Sequence, residues 1–278
     1  MKIKNLLDDN KTTQPEEPKV LPVHFIQPWS NMICKFKLPD PVFEKLLELY
    51  DYTMNEKWKS FGKQLVGQIE HEPEVTQDIL KKFPEWADWC LQSTRQFVVT
   101  SMSQVLAGDN SKRQLDDFLK QDIMTRIATM WFVNQKPGEY NPAHIHTNCK
   151  ISSVVYLKTP KNQVKGRKDH YQADGQITFM NNTGTDMTFA NAQCSFEPKP
   201  GEMYVFPALQ HHMVWPYRSS DPDDLRVSLS FNADFTTQQA LEIEKKNQEK
   251  LYEEMKKHKE SEVKNDKGTD VSDINKSG

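Results

Sequence analysis

The chain has 278 residues, of which 36% are hydrophobic and 27% charged, and its formal net charge is −3. This length suits one or two domains and is sufficient to bury a sizeable core. The mean hydropathy of −0.77 and the lack of a long apolar run argue against a membrane protein. The slightly acidic charge gives no basis for predicting a nucleic-acid surface.

The N-terminal residues 1–21 are charged, contain proline and show no periodicity, so we expect a disordered arm. They contain no apolar segment typical of a signal peptide, and we expect a cytoplasmic protein. Four widely spaced cysteines without a C-x-x-C pair are then expected to be reduced thiols; they are Cys34, Cys90, Cys149 and Cys194.

Residues 22–120 are predicted to be mainly helical. After a short alternating strand at 32–38, Asp40 and Pro41 mark a helix start, and apolar residues then recur at helical spacing up to Met54. A second helix is predicted from Pro84. Its apolar face is expected to carry Trp86, Cys90, Phe97, Ser101 and Val105.

The periodicity changes to two from Arg126, and a β-sandwich or barrel is predicted over about 121–236. The alternating runs are RIATMWFVN, ISSVVYL, GQITFMN, MYVFP and RVSLSFN, and clusters rich in Gly, Pro, Asn and Asp separate them. Residues 237–278 read as a charged helix followed by a polar tail. A solvated helix is the favoured interpretation of that segment, and a partner-binding helix is the alternative.

Two histidines in the segment AHIHTN are the first candidate metal ligands. His144 and His146 lie two positions apart, so in an extended backbone their imidazoles point the same way. A third ligand from a distant segment would complete a facial set with open positions for substrate and oxygen. Two surface histidines are the alternative for this pair. Cys149 is a weak ligand candidate, and a small apolar side chain is its favoured interpretation.

A second cluster of polar residues lies further along the chain. His212 follows the strand MYVFP after a short loop, and Arg226 and Ser228 are two apart on the next strand. A buried guanidinium beside a hydroxyl is suited to hold a small carboxylate through charged, bidentate hydrogen bonds. A metal set followed by such a clamp fits a dicarboxylate co-substrate.

The stretch 32–235 resembles the 2-oxoglutarate/Fe(II) oxygenases that are common in phages and bacteria. Their sequences read roughly W-x-N…G-x5-H-x-H…S-x-V-x-Y-L…P-x-x-G…F-P…H-x-V-x-P…R-x-S-x-S-F-N. The matched positions in this chain are Trp131, Asn134, Gly138, His144, His146, 153–157, Gly201, Phe206, Pro207, His212, Val214, Pro216 and 226–232.

The resemblance implies a mainly β, α+β fold: a double-stranded β-helix, or jelly roll, with N-terminal helices as a buttress and a charged C-terminal helix. It also implies Fe(II), 2-oxoglutarate and O2, with oxidation of an unidentified second substrate, and host cytoplasm as the location if a phage encodes the chain. By this resemblance, the oxygenase domain spans 22–236. The metal-binding and catalytic residues would be His144, His146 and His212, and those for 2-oxoglutarate Arg226, Ser228, Asn134 and Tyr156.

Several alternatives stay open at this level. The broader superfamily uses H-x-D, so the ligand pair could be shifted to His146-x-Asn148, although we favour the three histidines. His211 is adjacent to His212 and its role is open, and Tyr156 could simply pack in a strand. Two other classes compete: a cupin that does not use 2-oxoglutarate, and a non-catalytic jelly roll used for binding or assembly.

The sequence does not name a second substrate. The polar segments 158–175 and 181–197 are expected to form the mouth of the site. The first holds the basic stretch KNQVKGRKDH, with Lys161, Lys165, Arg167 and Lys168, which could approach an anionic substrate. A solvated loop is the alternative.

Overall fold

The computed structural model describes residues 32–56, 58–106, 112–164, 166, 173–180 and 193–266. The expected arm at 1–21 and the polar tail after 266 lie outside this part of the chain. The helices there are α1 (Asp40–Asn55), α2 (Gln77–Leu80), α3 (Pro84–Val105), α4 (Lys112–Leu119) and α5 (Gln238–Asp266), with a 3-10 turn at Gly62–Gln64. The strands are β1 (Cys34–Lys37), β2 (Ile123–Gln135), β3 (Asn141–His144), β4 (Ile151–Lys158), β5 (Ile177–Met180), β6 (Gln193–Phe196), β7 (Glu202–Pro207), β8 (His212–Val214) and β9 (Arg226–Thr237).

The strands form two antiparallel sheets that face each other as a double-stranded β-helix, as predicted. The major sheet has the order β1-β7-β4-β9-β2 and the minor sheet the order β3-β8-β5-β6. Aromatic and aliphatic side chains from both sheets meet in an inner core. These residues are Val154, Tyr156, Ile177, Phe179, Tyr204, Phe206 and Val214.

The N-terminal helices cover the outer face of the major sheet. Leu46 of α1 and Trp86 of α3 are fully buried in a second core that includes Phe132 and Leu229 of the sheet. The predicted apolar face of α3 does not extend to its end, because Val105 is 63% exposed. The helices therefore act as the predicted buttress.

Strand β9 separates the two faces of the major sheet by strict alternation. Its outward residues pack into the helix-covered core; they are Val227, Leu229, Phe231 and Ala233. Its inward residues are polar and line a cavity between the sheets; they are Arg226, Ser228, Ser230 and Asn232. One strand thus builds both the core and the wall of a site.

The segment 58–75, between α1 and α2, extends the β2 edge of the major sheet. The amides of Phe132 and Asn134 donate to the carbonyls of Pro73 and His71, at 2.9 and 3.0 Å. Phe61 from this segment stacks on Trp131, with ring centroids 4.8 Å apart and planes at 21°. We call this irregular piece the 58–75 segment, and it forms one wall of the cavity.

Helix α5 follows β9 directly, and Thr237 accepts a hydrogen bond from the amide of Ala240 at 3.2 Å. Its side chains are exposed from 238 to 259. Within the described residues, none of the helices has the length and apolar character that crossing a membrane requires. A partner-binding role for α5 stays a prediction.

Candidate functional site

Three histidines from the minor sheet and the loop beside it converge at one end of the cavity. His144 ends β3 and pairs in register with His212 on β8, while His146 follows two residues later. The amide of His146 donates to the carbonyl of Ala208 at 2.9 Å, which fixes that loop. One ring nitrogen from each histidine lies within 4.8 Å of the other two. One nitrogen of each of the three rings therefore lies near a common position.

In two of the three rings, the Nδ1 nitrogen is held by a backbone carbonyl group. Nδ1 of His144 lies 2.7 Å from the carbonyl of Pro142, and Nδ1 of His212 lies 2.9 Å from that of Gln210. A carbonyl only accepts, so both Nδ1 atoms carry the proton and both Nε2 atoms offer a lone pair. Carbonyls in this position also orient metal-ligating histidines.

Burial keeps these imidazoles neutral. Desolvation lowers the pKa of His144, and it lowers the pKa of His146 to about 4, with a further contribution from the nearby His144. The pKa of His212 is well below its usual value, chiefly because the ring is buried. The neutral imidazole is the form that binds a metal.

Arg226 lines the same cavity, and its side chain is buried. Its Nη1 donates to the carbonyl of Gly175 at 2.7 Å, and its Nε has no hydrogen-bond partner. No carboxylate within the described ranges forms an ion pair with it, and desolvation lowers its pKa. The guanidinium is thus buried with an unused donor, and a carboxylate is the kind of group that such a donor binds.

Two of the other residues predicted to bind the co-substrate, Ser228 and Tyr156, lie close to Arg226. Ser228 is buried and lines the cavity beside Arg226. Tyr156 lies opposite Ser228 in the sheet, and its ring centroid is 5.6 Å from the guanidinium carbon of Arg226. Its hydroxyl is buried without a partner, and burial raises the pKa of Tyr156 to about 12.

The structure does not bring Asn134 to the cavity. Its side chain accepts a hydrogen bond from the Tyr50 hydroxyl at 3.1 Å and donates to Met54 Sδ at 3.5 Å, both on α1. The reason is the alternation along β2: Trp131 and Val133 face the cavity, so Asn134 faces the helices.

The other ligand candidates differ from the three histidines in placement. His211 is exposed and lies outside the cluster, whereas its neighbour His212 is buried. Asn148 is exposed at the cavity rim in a left-handed conformation, with φ 61°. Burial raises the pKa of Cys149 to about 11, which disfavours the thiolate that a metal would need.

The cavity has a volume of about 270 Å³, close to the lower end of the range of about 300–1,000 Å³ typical of small-molecule sites.

Sequence reasoning did not identify several of the polar residues in the cavity wall. Ser230 and Asn232 continue the two-residue spacing of Arg226 and Ser228, so that spacing was the signal for them. Glu72 gave no signal, because the 58–75 segment lacks periodicity. Of the mouth segments, 165, 167–172 and 181–192 lie outside the described residues, including Lys165, Arg167 and Lys168 of the basic stretch.

Comparisons with known proteins agree with this geometry. Residues 129–232 match the model of a family described as "Putative 2OG-Fe(II) oxygenase". A search of curated proteins gave no match. The matched residues run from β2 to β9 and include the three histidines and Arg226.

Solved structures with which the chain shares similarity include three prolyl hydroxylases. A Pseudomonas putida prolyl-4-hydroxylase is 16% identical, with 74% of this chain and 93% of that chain covered and a TM-score of 0.43. The viral collagen prolyl hydroxylase from Paramecium Bursaria Chlorella virus-1 is 14% identical, with 72% and 94% covered and a TM-score of 0.37. A prolyl hydroxylase from Trichoplax adhaerens is 10% identical, with 73% and 83% covered and a TM-score of 0.42.

The double-stranded β-helix, the three-histidine cluster and the family match define the class: the protein is a 2-oxoglutarate-dependent oxygenase. Its segment 129–232 is similar to the 2OG-Fe(II) oxygenase family named above. The cofactor is Fe(II), and the co-substrates are 2-oxoglutarate and O2.

Proposed function

We propose that this protein couples the decarboxylation of 2-oxoglutarate to succinate with the hydroxylation or other oxidation of a second substrate, and that His144, His146 and His212 hold the Fe(II). The observation that carries the proposal is the presence of two complementary sites in one cavity. One is a cluster of neutral imidazoles, and the other is the buried guanidinium of Arg226, which no carboxylate in the described ranges neutralises.

The histidine cluster fits a metal. Ring nitrogens bound at about 2.1 Å and at right angles to one another lie about 3 Å apart. The Nε2 atoms of His146 and His212 are 3.3 Å apart, so a small adjustment brings both into a coordination sphere. The fixed Nδ1 protons of His144 and His212 direct their Nε2 lone pairs to the same point.

Arg226 is the residue that we propose for the distal carboxylate of 2-oxoglutarate. Its free Nε–H and remaining guanidinium donors can form charged hydrogen bonds with that group, and Ser228 is beside it on the same face of β9. Tyr156 contributes its ring face to the guanidinium and an unpaired hydroxyl. A carboxylate bound here would neutralise the charge of Arg226, which is otherwise buried without a counter-ion.

When bound, the iron supplies the oxygen-activating chemistry, and the residues of the chain position the reactants and exclude water. The inner aromatic residues Phe206 and Phe179 enclose His212, with ring centroids 4.8 and 5.9 Å away. Such burial limits solvent access to the reacting centre and strengthens the electrostatic interactions inside it.

Metal and ligand binding by paired variants test the proposal. We expect His212→Ala to lose stoichiometric Fe(II), whereas His211→Ala, at the exposed neighbouring position, keeps it. We expect Arg226→Ala to weaken 2-oxoglutarate binding by about 2–5 kcal/mol, at least ~30-fold. Arg126→Ala is the control, since Arg126 pairs with Asp234 at the surface. Unchanged iron in His212→Ala, or 2-oxoglutarate binding within twofold of wild type in Arg226→Ala, would contradict the assignment.

The two competing classes give other results in the same measurements. A cupin that does not use 2-oxoglutarate would bind metal but not 2-oxoglutarate, and a binding or assembly module would bind neither. A cytoplasmic location and an anionic substrate at the basic stretch stay predictions.

A further inference from the structure

Glu72 is an acidic side chain in the wall of the cavity. It lies on the 58–75 segment and is 1% exposed. The pairing of His71 with Asn134 sets the register of this segment on β2. In that register Glu72 lies opposite Val133, another cavity residue, so its side chain is on the inward face.

The carboxyl group of Glu72 has no partner. Neither carboxylate oxygen has a hydrogen bond, and no described lysine or arginine forms an ion pair with it. A glycine of the same segment leaves room for it, since a Cβ at Gly62 would lie 2.9 Å from Oε2. Burying a carboxyl without a partner is costly, and structural carboxyls in protein interiors are paired.

Burial raises the pKa of Glu72 to about 7, and the negative charge of Glu139 adds to this. The group is therefore ready to ionise when a positive charge approaches it. Among the described residues that line the cavity, it is the single acid, and the single arginine is the proposed co-substrate residue Arg226. The part of the cavity beside the 58–75 segment thus has an unsatisfied preference for a cation.

The cavity wall that holds Glu72 includes aromatic and aliphatic side chains. Phe61 and Trp131 are stacked in the same wall, and Leu65 and Val66 complete it. Aromatic faces attract cations, and apolar walls bind the methylene stem that carries an ammonium or guanidinium group. Carboxylate and aromatic groups together suit an organic cation better than a metal ion.

We propose that Glu72 determines specificity for the second substrate, which presents a cationic ammonium or guanidinium group on an apolar stem to this wall. The inference rests on the proposed oxygenase function, since it concerns the substrate of the same cavity. In this arrangement the co-substrate binds at Arg226, and the cationic group of the second substrate binds at Glu72.

Matched pairs of small probes test this on the full chain loaded with Fe(II) and 2-oxoglutarate under anaerobic conditions. The probes are n-butylammonium against n-butanol and n-butylguanidinium against n-butylurea, measured by calorimetric titration. We expect wild type to bind each cation at least about 10-fold more tightly than its neutral partner. Glu72→Gln should abolish this preference and Glu72→Asp should keep part of it.

Glu70→Gln is the control, because Glu70 lies two residues away on the same segment and is exposed. It should keep the preference of wild type. Equal binding of cations and neutral probes by wild type, no cation binding, or a preference that survives in Glu72→Gln would overturn the inference. The wild-type comparison decides even if a variant does not fold.

A separate titration of wild type and Arg226→Ala with 2-oxoglutarate distinguishes this inference from the proposed function. If 2-oxoglutarate itself does not bind in a manner that depends on Arg226, the co-substrate site of the proposed function is wrong. If 2-oxoglutarate binding depends on Arg226 but no preference for cationic probes is found, only the proposed role of Glu72 is wrong.

Discussion

Individual side chains in the cavity are buried without the partners that a folded protein normally provides. Nε of Arg226, both carboxylate oxygens of Glu72 and Oδ1 of Asn232 lack hydrogen bonds. Local rules of this kind are violated mainly where a ligand completes the site. Because Arg226 and Glu72 carry opposite charges and do not pair with each other, each is available for a different group.

Because the pKa of Glu72 is raised in the folded protein, the free energy of unfolding should depend on pH in a way that can be measured. The folded pKa is about 7 against an ordinary value of 4.5, so between these values the folded state binds more protons than the unfolded state. Stability from this group is therefore present below about pH 4.5 and is lost as the pH rises to about 7. We expect metal-free Glu72→Gln to gain up to about 3 kcal/mol relative to wild type between pH 5 and pH 8.

Urea unfolding of both proteins at several pH values measures this difference, with Glu70→Gln as the control that should follow wild type. A constant difference between Glu72→Gln and wild type across the range would show that the carboxyl is not held in an unfavourable environment.

Residue spacing explains which site residues the sequence could predict. His144 and His146, and Arg226 and Ser228, are pairs two apart on extended backbone, so spacing alone places each pair together. Asn134 is three residues from Trp131, an odd spacing that places it on the other face of β2, where it contacts α1. A motif match alone does not report this parity, so the prediction that Asn134 binds the co-substrate was wrong.

At the scale of elements, strands β3, β6 and β8 and the irregular wall were the parts that the sequence did not predict. The long strands β2 and β9 show clear alternation and were predicted. Strand β8 has three residues, too few to show a period, and its pairing with β3 depends on contacts distant in sequence. The 58–75 segment is held by isolated backbone bridges and by the stacking of Phe61 on Trp131, which are tertiary interactions.

Phe61 should therefore control how firmly this wall is held. Phe61 is buried, and its removal should cost about 3–5 kcal/mol of stability and loosen the segment from β2. The amides of Phe132 and Asn134 donate to the segment, so in Phe61→Ala we expect their hydrogen exchange to accelerate at least ~10-fold. Phe196→Ala, on the far edge of the minor sheet, is the control. Unchanged exchange at these two amides in Phe61→Ala would contradict the assigned role.

At the scale of the whole molecule, the helices and the jelly roll share one continuous core. The buried side chains of α1 and α3 pack with those of β2, β4, β7 and β9. Strand β1 pairs with β7 and thereby ties the start of the described chain to the major sheet. By contrast, α5 leaves the sheet after Thr237 with exposed side chains. We propose on this basis that the described residues between 32 and 236 belong to one folding unit, which lies within the predicted domain 22–236.

Truncation tests this unit. Because α5 buries few side chains, the chain 22–236 should fold with a Tm within about 3 °C of the full chain, even though it lacks Thr237, the last residue of β9. The chain 38–236 is the matched control. It removes β1, exposes the edge of β7 and uncovers buried apolar surface, so its Tm should fall by about 8 °C or more. Failure of 22–236 to fold would show that α5 or the last strand residue belongs to the unit. An unchanged Tm for 38–236 would show that β1 lies outside it.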